Sequence, residues 1–529
     1  MKFIKGHNRT QTCLFPVSLD QAIDPDNEVR LIDLFADSLS LQEFGFKTDF
    51  VDNGRPAYHP ADLLKLYIYG YLNKVRSSRD LEKECKRNIE VMWLLKNLQP
   101  DHNTISNFRR DNPKAIKKVF RTTVQIAKNF NLIGGKLIAG DSTKFRAQNS
   151  KKNNFNQKKI DRHVSYIDKK LEEYNQVLAE QDGDNKQLIQ HEIEKHQGRK
   201  KKYKKLEQQL KETNEAQIST SDPESRQMIV RNNITEVAYN VQTTVDAKHN
   251  IPVDYKVTNN NDSKAMGNML QRAKTILRNN NFTALYDKGY HTGSELKTAQ
   301  DLGIEAIVAI PGVPASSQAP DIDYNLEHFI YNQSDDTYTC HAGQILKTNG
   351  NWYKKHSHRN TVITFKQYRT PACKGCPVRE KCTRAKNGRI IERNQYTENY
   401  EINRKNVEQK ESFYKRRQAI VEHPYGTIKR QWGFSYISTK KGKERASADV
   451  GFMFIAYNLR RIMNIVGKNS LKKYLEVLIL SISGIYRSIR FKLIPFKAIN
   501  FLHRILTSFF EGCLNKLKFD QNLLKIEGF

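Results

Sequence analysis

Apolar positions between Tyr58 and Phe120 recur at helical spacing. In HPADLLKLYIYGYLN, residues Leu63, Leu64, Tyr67, Ile68, Tyr71 and Leu72 fall three and four apart, the period that stacks side chains on one face of an α-helix. Pro60 suits a first helical turn, and Ser77 or Ser78 suits the N-cap of a following helix. VMWLLKNLQPDHNTISNFRRDNPKAIKKVF predicts further helices. Pro100 ends one, and Asp101 or Asn103 caps the next, whose polar side carries Thr104, Ser106, Asn107, Arg109 and Arg110. Such a helix either reads a nucleic-acid groove or shows a solvated face, and residue types alone do not separate the two.

The period then changes. GGKLIAGDSTKFRA is a short apolar run that predicts a core strand with Asp141 at its tip. Residues 151–217 are almost wholly polar, yet Val164, Ile167, Leu171, Tyr174 and Leu178, and again Tyr203, Leu206 and Leu210, keep the helical step. They predict an inserted antiparallel helical hairpin turning at QDGDN. In TSDPESRQM, Asp222 and Arg226 are spaced as an i+4 pair at a helix start. EVAYNVQTTVDAKHNIPVDYKVT alternates on both sides of Ala247 to Asn250, a β-hairpin pattern. A helix (MGNMLQRAKTILRNN), a strand ending at Asp287, a helix through Leu302 and the strand IEAIVAIPG complete an α/β layer. Residues 313–405 break that rhythm and read as a second insertion. After them come only helices, ESFYKRRQAIVEHPYGTIKRQWGF and SADVGFMFIAYNLRRIMNIVG. Asp246 at the hairpin turn and Asp262 in NNNDS read as structural acids.

Composition narrows the function classes. The 529 residues include 88 Lys or Arg against 57 Asp or Glu, a net charge of +31, and 38% are apolar. That is enough for folded cores, and it excludes disordered and collagen-like chains. So positive a chain calls for a polyanionic partner, because each cation placed on a phosphate releases condensed counterions. Residues 413–529 alone carry 22 Lys or Arg and 7 Asp or Glu. The run RKKKYKK in the hairpin reads as a solvated face. The start of the chain lacks an apolar signal core, and the longest apolar stretch, Tyr474 to Tyr486, is too short to cross a bilayer. A soluble cytoplasmic protein is expected, with no membrane partner. No phosphate-binding Gly-Lys-Ser run is present, so nothing points to nucleotide hydrolysis.

Of the seven cysteines, Cys373, Cys376 and Cys382 stand as C-x2-C-x5-C, with Cys340 upstream. Four thiolates would close a tetrahedral zinc site stapling an insertion too polar to build its own core. The other reading is reduced thiols without metal. His341, His356 or His358 could replace one ligand. Cys13, Cys85 and Cys513 read as ordinary small side chains.

If both acid-tipped strands share a sheet, Asp141 and Asp287 emerge on one edge, and an acid from a late helix can join them. Convergent carboxylates suit Mg2+, and two such ions about 4 Å apart stabilise both oxygens of an in-line phosphoryl transfer. These residues resemble the DDE transposases of bacterial insertion sequences. Asp141 in IAGDSTKFRA is similar to the first acid, Asp287 in LYDKGYHTG to the second, and Glu422 in YKRRQAIVEHPYGTIKR to the third, within a Tyr-Arg-Glu-Lys signature of Tyr414, Arg417, Glu422 and Lys429. Four residues separate Arg417 from Glu422 rather than three, with Gln418 in the expected slot. The long insertions resemble the eleven-eighty-two branch, and the resemblance spans roughly residues 1–466. It implies an RNase H-like α/β core (a mixed sheet with flanking helices) behind an all-α domain. It implies Mg2+ or Mn2+ on Asp141, Asp287 and Glu422, and DNA contacts from Tyr414, Arg417, Lys429, Arg109 and Arg110. A continuous late helix would show Tyr414, Gln418, Glu422 and Lys429 on one face, but Pro424 is expected to interrupt it near His423.

The expected organisation is a helical DNA-binding domain (1–128), a core (129–312) carrying the hairpin (151–217), a cysteine-containing insertion (313–405), the closing core helices (406–466) and a basic extension (467–529). The expected function is that of a nucleoid-associated homodimer. It would bind the element's terminal inverted repeats and target DNA as double strands, and catalyse metal-dependent cleavage and strand transfer. Two alternatives remain: a repurposed DNA-binding protein without catalysis, and an RNase H-like nuclease.

Overall fold

A computed structural model describes residues 18–48, 56–180, 185–231, 234–314, 317–356, 362–439 and 441–490. The hairpin turn at 181–184, His358, Cys13 and Cys513 lie outside the described residues. The chain forms two compact units, residues 1–40 with 466–529, and 41–465. In the first, the helix Glu28–Asp37, capped by the Asn27 side chain on the Val29 N–H, packs against the helix Lys468–Arg490. No helix among the described residues is long and apolar enough to cross a membrane.

The second unit is built on a six-stranded mixed sheet: β1 (Leu137–Arg146), β2 (Arg226–Arg231), β3 (Ile234–Asp246), β4 (Ile251–Thr258), β5 (Thr283–Tyr286) and β6 (Glu305–Val308). The order is β2-β3-β1-β5-β6, with β4 also pairing β3. β3 runs antiparallel to β1, β2 and β4, whereas β1, β5 and β6 are mutually parallel. This is the expected RNase H-like α/β arrangement. One face of the sheet is covered by the helices Met266–Leu277 and Gly293–Asp301, burying Ile138, Ala284, Tyr286, Leu270 and Leu296. On the other, Leu137, Ala139, Val245, Leu285 and Ile307 meet Ile420 and Val421 of the helix Glu411–Tyr425.

The helical region follows its caps. His59 caps the helix Pro60–Leu72, Ser77 caps Ser78–Arg87, and Asp101 accepts from the Asn103 and Thr104 N–H groups at the start of His102–Asp111. The helix before Pro100 stops at Leu94, because Lys96 and Asn97 already take left-handed backbone angles. The hairpin insertion forms as helices Gln157–Glu180 and Asn185–Thr213, with Phe155, Ile160, Leu206 and Leu210 at its base.

The second insertion has regular structure of its own, an antiparallel sheet from Ile330–Asn332 to Ile391–Asn394. Its core is small: Phe329, Tyr338, Leu346, Tyr368 and Ile391. The α/β layer resumes at the helix Thr397–Gln409. There the buried Asn403 side chain donates to the Val308 carbonyl at 2.8 Å and accepts from the Val308 N–H at 2.9 Å, pairing the backbone of edge strand β6.

Three local expectations are corrected. β1 does not end at Asp141 but continues to Arg146, because β3 pairs it along its whole second half. TSDPESRQM starts no helix: Arg226 opens strand β2, and Asp222 is buried, accepting from the Tyr239 hydroxyl at 2.7 Å and the Gly442 N–H at 3.0 Å. The late helix does not break at His423. It carries Pro424 internally to Tyr425 and then widens into a π-helical segment, Gly426–Gln431. A proline removes one backbone donor and crowds the carbonyl four residues back, and the looser π register absorbs both.

Candidate active site

The site is set by strand register. β1 and β5 pair in parallel with Leu137 opposite Thr283, Ile138 opposite Ala284 and Ala139 opposite Leu285. Two residues further along each strand stand Asp141 and Asp287. Strand side chains alternate faces, so both acids continue the row of Leu137, Ala139 and Leu285, on the side of the helix Glu411–Tyr425. The residue between, Gly140, has no substitute: a Cβ there would lie 2.0 Å from Cε1 of Tyr286, whose ring fills the opposite face.

Arg417 reaches Asp141 from the late helix, its Nη1 3.1 Å from Oδ2, with side-chain exposures of 15% and 27%. The Asp141 Oδ1 accepts from the Ser142 N–H at 2.7 Å. Burial raises the Asp141 carboxyl above its ordinary value, and the nearby Asp287 adds to the rise, while Arg417 pulls the other way and does not prevail. Asp287 caps the short helical turn Lys288–Tyr290, accepting from the Lys288 N–H at 2.6 Å. Tyr414 packs beside this group, its hydroxyl raised first by burial and further by Asp287 and Asp141. Tyr425, the residue just before the π segment, donates to Thr243 Oγ1 at 2.6 Å and ties the late helix to β3.

Lys429 lies on the π segment. Its Nζ donates to Thr143 Oγ1 at 2.9 Å and to the Lys144 carbonyl at 3.0 Å, two residues along β1 from Asp141. Glu422 is exposed and accepts from Gln418 Nε2 at 2.8 Å. Among the described residues, no three His, Cys, Asp or Glu side chains are disposed around one metal position, so Glu422 does not complete a triad with Asp141 and Asp287 in this arrangement. Asp141 and Asp287 themselves, hard oxygen donors held side by side, fit a divalent cation.

On the opposite face, Asp262 accepts from Lys144 Nζ at 3.2 Å and from the Asn240 and Gln242 amides at 2.7 Å each. Gln242 in turn accepts from the Tyr290 hydroxyl at 2.5 Å, bracing the turn that carries Asp287. Asp246 accepts from the Gly134, Gly135 and Lys248 N–H groups at a strand end, away from the site.

Arg109 is corrected as a DNA contact. It is 4% exposed, and its Nη1 lies 3.2 Å from Oδ1 of Asp449, inside the unit. The helix His102–Asp111 turns this residue inward because Asp449, a fully buried acid on the helix Lys443–Val466, also needs Arg76 and the Tyr71 hydroxyl. Arg110 is exposed and pairs with its neighbour Asp111. Sequence spacing held no signal for the Asp449 cluster or for Tyr425 and Thr243, since their partners lie far apart along the chain.

The mixed sheet thus carries one carboxylate just beyond the paired residues of each of two neighbouring parallel strands. Residues 17–111 match the family model of a transposase domain, and residues 339–463 that of a transposase DDE domain. Both matched segments are thus similar to those of DDE transposases of the insertion-sequence type. The second match takes in the late helix with Tyr414, Arg417, Glu422 and Lys429. No curated protein matches the chain. Among solved structures it is similar to a piggyBac transposase synaptic complex with hairpin DNA, at 9% identity and a TM-score of 0.28, over 89% of this chain and 81% of that one.

Proposed function

We propose that this transposase binds the terminal inverted repeats of its own element on double-stranded DNA. It cuts there to free a 3′-hydroxyl and joins that hydroxyl to a target phosphodiester, working as a homodimer. The observation that carries this reading is the parallel register setting Asp141 beside Asp287.

Asp141 and Asp287, joined by Glu422, would hold Mg2+ or Mn2+, which would activate the attacking oxygen and stabilise charge at the leaving one. The chain's own part is to hold the acids in place and neutralise phosphate. Ser142 N–H and Lys288 N–H fix one oxygen of each carboxylate. Arg417, whose Nη1 holds Asp141 at 3.1 Å, would stand ready to bind a phosphate beside the acids. Lys429 and Arg110 add to phosphate binding, and Tyr414 packs against the strand end. The exposed Glu422 favours one second reading, a chain that binds the repeats without cutting them.

The test is cleavage of labelled DNA from the gene's flanks by wild type and Asp287→Asn, with Mg2+ or Mn2+ at fixed moderate salt, because binding by so basic a chain is salt-dependent. Cutting at the repeat ends by wild type alone is expected. Retained cutting in Asp287→Asn would sink the acid assignment, and binding without cutting by both proteins would establish the second reading.

A further inference from the structure

Four of the five described cysteines line one cavity. Cys340 on the turn after Thr337–Thr339, Cys373 and Cys376 on the 3-10 turn Pro371–Gly375 and the residue after it, and Cys382 at the end of the short helix Arg379–Cys382 all line one cavity of about 30 Å3. All four thiols are free.

The backbone around them is shaped into tight turns. Cys340 N–H donates to the Gln344 carbonyl at 3.0 Å and Gly343 N–H returns to the Cys340 carbonyl at 2.9 Å, while Arg379 N–H donates to the Cys376 carbonyl at 3.2 Å. Gly388, at φ +89°, lies against Cys373, where a Cβ would sit 2.5 Å from the cysteine's own. Two sequence-distant loops are thus pressed together with thiols facing inward. The apolar core beside them is small, with Phe329, Tyr338, Leu346, Tyr368 and Ile391 as its buried members, too few to explain why both loops hold so tight a form.

Between Lys374 and Arg389 the chain places six cations, Lys374, Arg379, Lys381, Arg384, Lys386 and Arg389, against the single acid Glu380. A zinc tetrathiolate carries two net negative charges, and Arg379 and Arg389 of this run line the cavity to offset them.

We propose that Cys340, Cys373, Cys376 and Cys382 bind one structural zinc ion in tetrahedral geometry and so staple the two loops of the inserted sheet. Because no three side chains already surround one point, binding draws the thiol-bearing loops inward and releases the thiol protons, as folding and metal binding couple in small modules. His341 lines the same cavity but packs among Tyr324, His328 and Phe329, so it is not needed as a ligand. His356 lies on the strand Tyr353–His356 and does not line the cavity.

The inference does not depend on the proposed DNA chemistry, and its test reads no cleavage. Full-length protein purified without chelator is analysed for metal, and a mercurial that caps thiols is titrated in while released zinc is followed with a dye. About one zinc per chain, released in step with thiol capping, is expected. Replacement by Co2+ should give the intense sulfur-to-cobalt absorption and tetrahedral visible bands of a tetrathiolate. The double variant Cys373→Ser/Cys376→Ser should lose the zinc. Where that variant fails to fold, the wild-type release and cobalt spectrum decide alone. Substoichiometric zinc with freely titrating thiols, or full zinc retained by the double variant, overturns the proposal.

Discussion

Arg109 and Asp449 form a buried ion pair at 3.2 Å across 340 residues of sequence. With Arg76 at 2.8 Å and the Tyr71 hydroxyl, they join the N-terminal helices to the helix Lys443–Val466. Removing one partner of such a pair leaves an uncompensated buried charge, at a cost of about 3–5 kcal/mol. Arg109→Ala is therefore expected to lower stability by that order in denaturant unfolding, with DNA affinity per folded molecule unchanged. A selective loss of affinity at normal stability would return Arg109 to the DNA surface.

The same cluster has a pH signature. Burial pushes the Asp449 carboxyl up, but Arg76 and Arg109 outweigh it and hold the group below its ordinary value. A depressed folded value contributes stability above the unfolded pKa of about 4, which is lost as pH falls through the folded one. Asp449→Asn should be less stable at neutral pH and show a flatter decline below about pH 4. An unchanged acid slope would contradict the assignment.

Asp141 has the opposite sign. Its raised carboxyl means that the charged form is a burden on the fold at pH values above the raised pKa, and none below the unfolded one. Asp141→Asn should unfold at the same or a higher temperature than wild type at pH 7, with the difference shrinking toward pH 4, while repeat-end cleavage disappears. A clear loss of stability at pH 7 would show that the Arg417 contact outweighs burial.

Gly140→Ala tests the register. Its Cβ would meet the Tyr286 ring at 2.0 Å, and overpacking costs about 1–3 kcal/mol. A double-mutant cycle with Tyr286→Leu, which removes the ring, should recover part of that loss. Strict additivity would place the strain elsewhere.

Lys117 offers an alkaline test. Its ammonium donates to the Tyr255 carbonyl at 2.8 Å, and burial lowers it to about 8. The unfolded chain keeps this proton to higher pH, so this group makes stability rise between about pH 8 and 10.5. Lys117→Met should lose that rise in urea midpoints measured across the range. A rise retained in the variant would assign it to another group.

Much of the fold was legible because it rests on local pattern. The caps at Ser77 and Asp101, the helical step of Val164 to Leu178 and the alternation around Ala247 to Asn250 each act within a few residues. The insertion at 313–405 was less legible, since its short strands are paired at a distance and their polar sequence hides the alternation. Asn403 illustrates the limit: an amide in a polar helix, it becomes a backbone partner only because the edge strand β6 lies beside it.

The sequence by itself named the candidate site residues, much of the order of helices and strands, and the family they resemble. These depend on residue type and periodicity, which are properties of neighbours along the chain. Only the tertiary structure decided that Asp141 and Asp287 share a register, that Arg109 turns inward to Asp449, that Glu422 faces Gln418, and that four thiols line one cavity. Each of these depends on where distant backbones pair and pack, and burial then decides which charges are solvated and which must find partners.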